Sequence, residues 1–460
     1  MKQIKIGLLP LYIKLYDDVN AEKSGLVDFY DKIAEFFESE GFSVIKSPVC
    51  RVKEEFTSSV KNFEEKKADV IVTLHLAYSP SLESIDALAG TELPIVVLDT
   101  TEGYGYSKKY SKSPLMYNHG IHGVMDMCNL LKRRGKKYAI CAGHINDGKV
   151  IKKTVDCVKA AVAAKSLNGS RTGVFGTSFK GMGDFLVTKE EVKKAFGIEL
   201  VNYGDEDMQK VFNAVSCEEI KAERAVYDKE FALPEKVDED KLATSIKSCL
   251  AVRKAVKDDK LDAFTVNFLD ITKSNLKNMP FIECCKEMQN SVGYAGEGDA
   301  LTASFVGAIA KGFNDFSFVE IFCPDWKENR LFISHMGEMN YSVAKAKPVL
   351  TESGFSYSDA EFCFKGLAEF KSGKAVFCNV FKDRGEEFKL LLSDIEMINV
   401  DTHDFDDNVR GWFIPPVPLP EFLEKLSEYG ATHHSFIVYD TDIKAMEYFG
   451  ELLNLKTVKI

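Results

Sequence analysis

The feature that most limits what this chain can fold into is the grouping of its apolar residues. Over residues 1–165, short uninterrupted apolar runs alternate with stretches of helical period. Ile4–Tyr12 (IKIGLLPLY), Val70–Leu76 (VIVTLHL), Ile95–Leu98 and Lys137–Ala142 are the runs. Within Leu26–Glu40, Phe29, Ile33, Phe36 and Phe37 recur near a helical period, and a second helical stretch begins near Ile121. A strand covered on both faces reads as a continuous apolar run, and helices between runs supply the crossovers of a parallel sheet. This pattern predicts a Rossmann-like α/β domain over residues 1–170. It restarts at Arg171-Thr-Gly-Val-Phe-Gly176, passes through Glu199–Tyr203 and two long polar helices, and reaches the buried run Ala263–Phe268. Residues 171–313 therefore read as a second such domain.

After about Ser317 the texture changes. Val319–Cys323, Leu331–His335, Ala375–Phe381, Phe388–Ile398 and Gly411–Ile414 follow one another with few helices between them. Successive strands of this kind predict an antiparallel, barrel-like sheet, here a β-rich domain over residues 314–460. A last helix-strand-helix begins at Pro418. There is no internal repeat and no low-complexity tract.

Composition narrows the classes of function. The net charge of −11 and the absence of a long basic stripe argue against a nucleic-acid partner. The run Lys132-Arg133-Arg134-Gly135-Lys136-Lys137 precedes an apolar strand and reads as a solvated helix end. No signal-peptide pattern opens the sequence, and no window approaches the roughly 18 apolar residues of a membrane span. The 11 cysteines contain no C-x-x-C spacing, and their closest pair is Cys284-Cys285. Reduced thiols and a cytoplasmic location are expected, and a zinc–cysteine site is not.

The metal-binding chemistry is sparse enough to enumerate. The chain has eight histidines: His75, His119, His122, His144, His335, His403, His433 and His434. His75 and His144 lie on or after buried runs and read as structural. Glu297 stands between two glycines in Tyr294-Ala-Gly-Glu-Gly-Asp299, ahead of the helical pattern Leu301–Ala310. Glycine allows close backbone approach, and a helix N-terminus favours a charged carboxylate. A plain capping loop would explain the same residues. Glu320 interrupts the apolar strand Phe318-Val-Glu-Ile-Phe-Cys323, where a buried carboxylate needs a cation, a hydrogen-bond network or a proton. A solvent-facing edge is the other reading. His335 ends the apolar strand Leu331-Phe-Ile-Ser-His335, where it could equally be a hydrogen-bonded core residue. His433 and His434 follow Gly430-Ala-Thr432 at a loop-to-strand junction. Because adjacent strand residues face opposite ways, one of the two is expected to be a ligand and the other to face substrate or support the ligand. Two Glu and two His form a mixed oxygen–nitrogen set, suited to Mn²⁺ or Mg²⁺ through the carboxylates and to Co²⁺ through the imidazoles. The glycine-rich stretch Gly173–Asp184 (GVFGTSFKGMGD) lacks both the Walker pattern and the G-x-G-x-x-G spacing, so nucleotide binding is not expected.

Taken in order, Ala263-Phe-Thr-Val-Asn-Phe268, Gly293-Tyr-Ala-Gly-Glu-Gly-Asp299, Phe318-Val-Glu-Ile-Phe322, Ile333-Ser-His-Met336 and Gly430-Ala-Thr-His-His434 resemble the L-arabinose isomerase family, within the L-arabinose/L-fucose isomerase group. The tail Asp442-Ile-Lys-Ala-Met-Glu-Tyr-Phe449 resembles that family's closing helix. The resemblance implies two Rossmann-like domains and a C-terminal barrel. It implies metal ligands at Glu297, Glu320, His335 and His434, with the same two Glu as the acid/base pair; for that donor set Mn²⁺ is the expected ion, with Co²⁺ or Mg²⁺ as substitutes. It also implies a small sugar as substrate and a homo-oligomer, trimeric or hexameric, whose sites lie between subunits. Substrate contacts would fall on Tyr12, His119, His122 and His433. Two departures mark the sugar-facing shell. Where the family has Gly-Ser-Gln-His-Leu-Tyr, this chain has Gly7-Leu-Leu-Pro-Leu-Tyr12, with Leu9 in place of Gln. The family's His-Gly-Gly-Arg is reduced to His122-Gly123. A sugar-binding or regulatory module, or another metal enzyme such as a hydrolase or aldolase, are the competing readings.

Overall fold

The computed structural model describes residues 3–17, 24–107, 115–271, 275–358, 360, 362–401 and 408–460, so His403 lies outside the described residues. The chain divides into two compact units: residues 1–162 with 444–452, and residues 163–443 with 453–460.

In the first unit the apolar runs become the strands of one sheet. These are β1 (Lys5–Leu11), β2 (Ser43–Lys46), β3 (Val70–His75), β4 (Ile95–Asp99) and β5 (Tyr138–Ala142). Their order is β2-β1-β3-β4-β5, with every neighbour parallel. All of β3 is buried, as a strand covered on both faces must be. The helix Lys53–Glu65 shows how one face is covered. Phe56, Val60 and Phe63 recur at helical spacing and join Leu9, Ile71 and Val97 in one core. The Glu55 carboxylate accepts from the backbone N–H groups of Arg51 and Val52 and so closes that helix's first turn. The chain returns to this unit at residues 444–452, where Tyr448 Oη donates to the Ile95 carbonyl at 2.9 Å.

The second unit holds the remaining sheets. β6 (Arg171–Phe175), β7 (Glu199–Tyr203), β8 (Ala263–Val266) and β9 (Gly293–Gly296) pair in the parallel order β7-β6-β8-β9. The helix Ala300–Ile309 packs against this sheet with every residue buried. The approach is so close that a β-carbon on Gly293 would lie 2.1 Å from the Gly307 nitrogen. Three further helices are tied by buried charge. Arg253 of Glu239–Asp258 meets Glu223 of Cys217–Glu230 at 2.6 Å and Glu283 of Phe281–Gln289 at 2.7 Å, and Lys286 meets Glu223 at 2.8 Å. Removing Arg253 would leave the fully buried Glu283 carboxylate without its ion pair.

The change of texture after Ser317 is a closed antiparallel barrel. Its strands are drawn from β10 (Phe316–Asp325), β11 (Arg330–His335), β14 (Gly373–Lys382), β15 (Phe388–Ile398), β16 (Val409–Ile414) and β17 (His434–Tyr439). The pairing runs β14-β17-β10-β11-β16-β15 and back to β14. Val319, Ile333, Phe377, Ile395, Phe413 and Ile437 fill one core with Phe422 of the helix Leu419–Tyr429. Two features had no signal in the apolar pattern. One is a hairpin of β12 (Val349–Ser353) and β13 (Cys363–Leu367); the other is β18 (Lys456–Lys459), which joins β15 in parallel. The fold class is therefore parallel α/β sheets followed by an antiparallel barrel, as the sequence predicts. Among the described residues, no helix is long and apolar enough to cross a membrane.

The Gly293 contact is directly testable. Overpacking against helix backbone typically destabilises by about 1–3 kcal/mol or more, so Gly293→Ala should lower the melting temperature by roughly 5 °C. Melting within about 1 °C of the parent, by calorimetry, would show that the helix can withdraw without penalty.

Candidate metal centre

Four segments of the second unit converge at one rim of the barrel. Glu297 occupies the turn between β9 and the helix Ala300–Ile309, with a φ of 63°. That conformation costs a non-glycine residue on the order of 1 kcal/mol, and it persists only where the surroundings impose it. Here they do. Glu297 N–H donates to the Val266 carbonyl at 3.1 Å, and its carbonyl accepts from Phe179 N–H at 2.9 Å. Just before it, a β-carbon on Gly296 would lie 2.8 Å from Cε1 of His335, so only glycine lets that ring lie against the turn.

Glu320 of β10 stands directly opposite His434 of β17, and directly opposed residues project from the same face of a sheet. His335 closes β11, the strand on the other side of β10. His335 Nε2 lies 3.8 Å from Glu320 Oε2, and His434 Nε2 lies 3.6 Å from Glu297 Oε2. Ligand-type atoms of Glu320, His335 and His434 all fall within 4.8 Å of one another, as do those of Glu297, His433 and His434. His434 is common to both groups.

Each imidazole is aimed by a carboxylate behind it. His434 Nδ1 faces Asp299 Oδ2 at 3.0 Å, and both side chains are fully buried. His335 Nδ1 faces Glu338 Oε2 at 2.6 Å; Glu338 also accepts from Gly337 N–H and from the Tyr294 hydroxyl at 2.8 Å. His433 Nδ1 faces Asp184 Oδ2 at 2.7 Å. The start of β17 is pinned by Asn379, whose Nδ2 donates to the carbonyls of Thr432 and His434, both at 2.8 Å. Fixing one ring nitrogen in this way sets the tautomer and orientation of the other, as in the outer shells of metal sites.

The electrostatics separate the two glutamates. Burial pushes Glu297 up, but the His433 hydrogen bond and the nearby imidazoles outweigh it and hold Glu297 below the ordinary glutamate range. At Glu320 burial prevails over the same imidazoles, and its carboxyl is raised. Burial opposes charge on His335, yet Glu338, Glu320 and Glu297 raise it to about 9. Burial likewise opposes charge on His433, but Asp184 and Glu297 raise it to about 10.

The donor set fits a divalent cation. His434 Nε2 is buried and has no hydrogen-bond partner among the described residues. A buried nitrogen left so is unfavourable by about 1–3 kcal/mol. This one points toward carboxylates that lie beyond hydrogen-bond distance, as a ligand atom would.

The sequence predicts one histidine of the pair as a ligand and the other as facing substrate or supporting the ligand. Both rings turn toward Glu297, because His433 precedes β17 and strand alternation does not govern it; its Nε2 lies 3.5 Å from Glu297 Oε2. The other substrate-contact candidates belong to the first unit. There Tyr12 is buried with its ring 6.0 Å from that of Tyr16, and the His119 and His122 rings lie 4.2 Å apart at the start of the helix Gly120–Arg133. Three residues of the centre escaped the sequence reading: Asp184, Asp299 and Glu338. Asp299 and Glu338 carried a local signal, standing two and three residues after Glu297 and His335. Asp184 carried none, being 249 residues from His433.

Residues 175–312 match the L-arabinose isomerase central domain, and residues 315–456 match the L-arabinose isomerase C-terminal domain. L-arabinose isomerase of Aeromonas hydrophila subsp. hydrophila is 23% identical over 414 residues, covering 87% of this chain and 82% of the relative. That of Bacillus subtilis is 24% identical, covering 92% and 87%. That of Shouchella clausii is 22% identical, covering 99% and 93%. With both domain matches in order and these relatives spanning nearly all of its length, the chain belongs to the L-arabinose isomerase family as a divergent member.

Proposed function

We propose that this protein is an aldose–ketose isomerase acting on a free sugar, with a divalent cation held by Glu297, Glu320, His335 and His434. The observation that carries the reading is the buried Nε2 of His434, without a hydrogen-bond partner among the described residues and set among the carboxylates of Glu297 and Glu320 and the imidazoles of His335 and His433. Mn²⁺ is the ion of choice, with Co²⁺ or Mg²⁺ as substitutes, since two carboxylates and two imidazoles offer a mixed hard and borderline donor set. When bound, such a cation supplies Lewis-acid polarisation of the sugar's carbonyl and neighbouring hydroxyl oxygens. Leu9, in place of the family's Gln, makes a sugar other than L-arabinose the substrate to look for first. A panel of aldoses and ketoses, each with and without Mn²⁺, identifies it.

The two glutamates divide the proton transfers. One glutamate takes the proton from C2 of the aldose, while the other supplies one to O1. The product is an ene-diol. The donor, now a carboxylate, takes the O2 proton, and the first glutamate returns its proton to C1, leaving the ketose with both carboxyls restored. Environments that drive two carboxyls apart in pKa are the usual basis of such a division. His433 faces Glu297 from the side on which substrate oxygens would lie.

Metal binding should be essential and linked to pH. Chelation should abolish turnover, Mn²⁺ should restore it, and His434→Ala should lose the metal while His433→Ala keeps most of it. The cation must displace the proton that His335 holds below about pH 9 in the metal-free protein. Affinity should therefore rise as pH rises toward 9, by up to about tenfold per unit for one displaced proton, with that proton detected by calorimetry in buffers of different ionisation enthalpy. An affinity flat from about pH 6.5 to 8.5 would refute the assignment of His335 as a ligand.

Glu297→Gln and Glu320→Gln should each lower kcat at least about a hundredfold at saturating metal, since general acid–base groups contribute about 10²–10⁴-fold. The double variant should be little worse than the worse single one, because groups acting as a unit are not additive. If both variants, fully metal-loaded, stayed within about tenfold of the parent, a hydride shift from C2 to C1 would replace the ene-diol route.

The same reading makes the protein a cytoplasmic homo-oligomer, trimeric or hexameric, in which Tyr12, His119 and His122 of one subunit meet the sugar bound by another. Sedimentation should find the activity only in the oligomer; an active monomer at sub-micromolar concentration would overturn this arrangement.

A further inference from the structure

The glycine-rich stretch Gly173–Asp184, for which the sequence predicts no nucleotide binding, has another place in the fold. It lies along the metal centre and touches it at several points. Phe179 N–H donates to the Glu297 carbonyl at 2.9 Å, and Ser178 Oγ donates to the Gly298 carbonyl at 3.1 Å. Phe185 is buried and stacks on the His434 ring, with centroids 5.0 Å apart and planes 9° from parallel. Between these contacts sits Asp184. One of its oxygens, Oδ2, accepts from the His433 backbone N–H at 3.0 Å and faces the Nδ1 of the same residue at 2.7 Å.

A single carboxylate oxygen that grips both the backbone and the ring of one histidine removes that ring's freedom to turn. It also fixes a proton on Nδ1, so Nε2 is the nitrogen presented to Glu297, 3.5 Å away. The grip comes from a segment whose own backbone is fastened to the Glu297 turn, so the aspartate and the glutamate it serves are held in one frame. Packing alone does not require a charge here, because His433 and Asp184 keep 31% and 37% of their side-chain surface in solvent.

We propose that Asp184 is a positioning residue, which holds the His433 ring so that its Nε2 hydrogen-bonds a substrate oxygen beside Glu297. This rests on the isomerase reading for its kinetic consequence but not for its geometry. The test combines kinetics, metal binding and crystallography on the full-length protein. Asp184→Asn should bind Mn²⁺ within about threefold of the parent by calorimetry and lower kcat about 10–100-fold, the range typical of residues that orient functional side chains. Combined with His433→Ala, it should add less than about twofold to the loss from His433→Ala alone, because it acts only through that ring. In crystals of Asp184→Ala, or of Asp184→Ser should the alanine variant not fold, the His433 ring should leave Glu297. Losses that multiply, an Asn variant with the parent's kcat, or a ring that stays in place without the carboxylate would each overturn the proposal. If the parent neither binds Mn²⁺ nor turns over any sugar, the isomerase reading falls, and the position of the ring in the crystals still decides the role of Asp184.

Discussion

The arrangement of the second unit depends on one buried imidazole. His434 is fully enclosed, with Asp299 on its Nδ1, Phe185 on one face, Phe318 packed edge-to-face against it, and, among the described residues, no hydrogen bond on Nε2. A group of this kind is costly to enclose, and protein interiors keep few of them without a compensating partner. What surrounds it is a set of side chains of metal-ligand type: Glu297 from the parallel-sheet region, and Glu320 and His335 from adjacent barrel strands.

Bringing them together requires two architectures in one compact unit. The parallel sheet supplies a strand end followed by a helix start, the place where a tight glycine-flanked turn can push a carboxylate outward. The barrel supplies rigid antiparallel register, which sets Glu320 opposite His434 and places His335 on the neighbouring strand. Neither element alone offers both. The buried ion network of Arg253, Glu223, Glu283 and Lys286 stiffens the support, since the helix Phe281–Gln289 also carries Cys285, whose thiol donates to the Gly337 carbonyl and accepts from Met339 N–H around Glu338.

The pattern of charge follows from the same enclosure. Glu297 sits among imidazoles and is held charged, whereas Glu320 is dominated by burial and favours its proton. His335 and His433 are held charged at neutral pH because each has carboxylates on both sides, Glu338 and Glu320 for the first and Asp184 and Glu297 for the second. Two carboxyls of identical chemistry thus acquire different proton affinities from position alone.

Much of this was legible in the amino-acid sequence, and the reason is periodicity. Continuous apolar runs separated by helical stretches specify parallel sheets locally, and the run of strands after Ser317 specifies an antiparallel one. Residues that break those patterns, a Glu in an apolar strand or a Glu between glycines, stand out because an apolar setting makes a charge expensive. By itself the sequence determined the fold class and singled out the four ligand-type residues. The barrel's closure, the parallel pairing of β18 with β15, and the return of residues 444–452 to the first unit came only from tertiary structure, because such pairings join segments far apart in sequence. So did the inward turn of His433, since whether strand alternation applies depends on where β17 begins. Asp184 is the clearest case. It sits in a glycine-rich stretch with no local sign of purpose, and its contact exists only because tertiary packing lays that stretch beside a histidine 249 residues away, where carboxylate and imidazole meet at 2.7 Å although both stay partly in solvent.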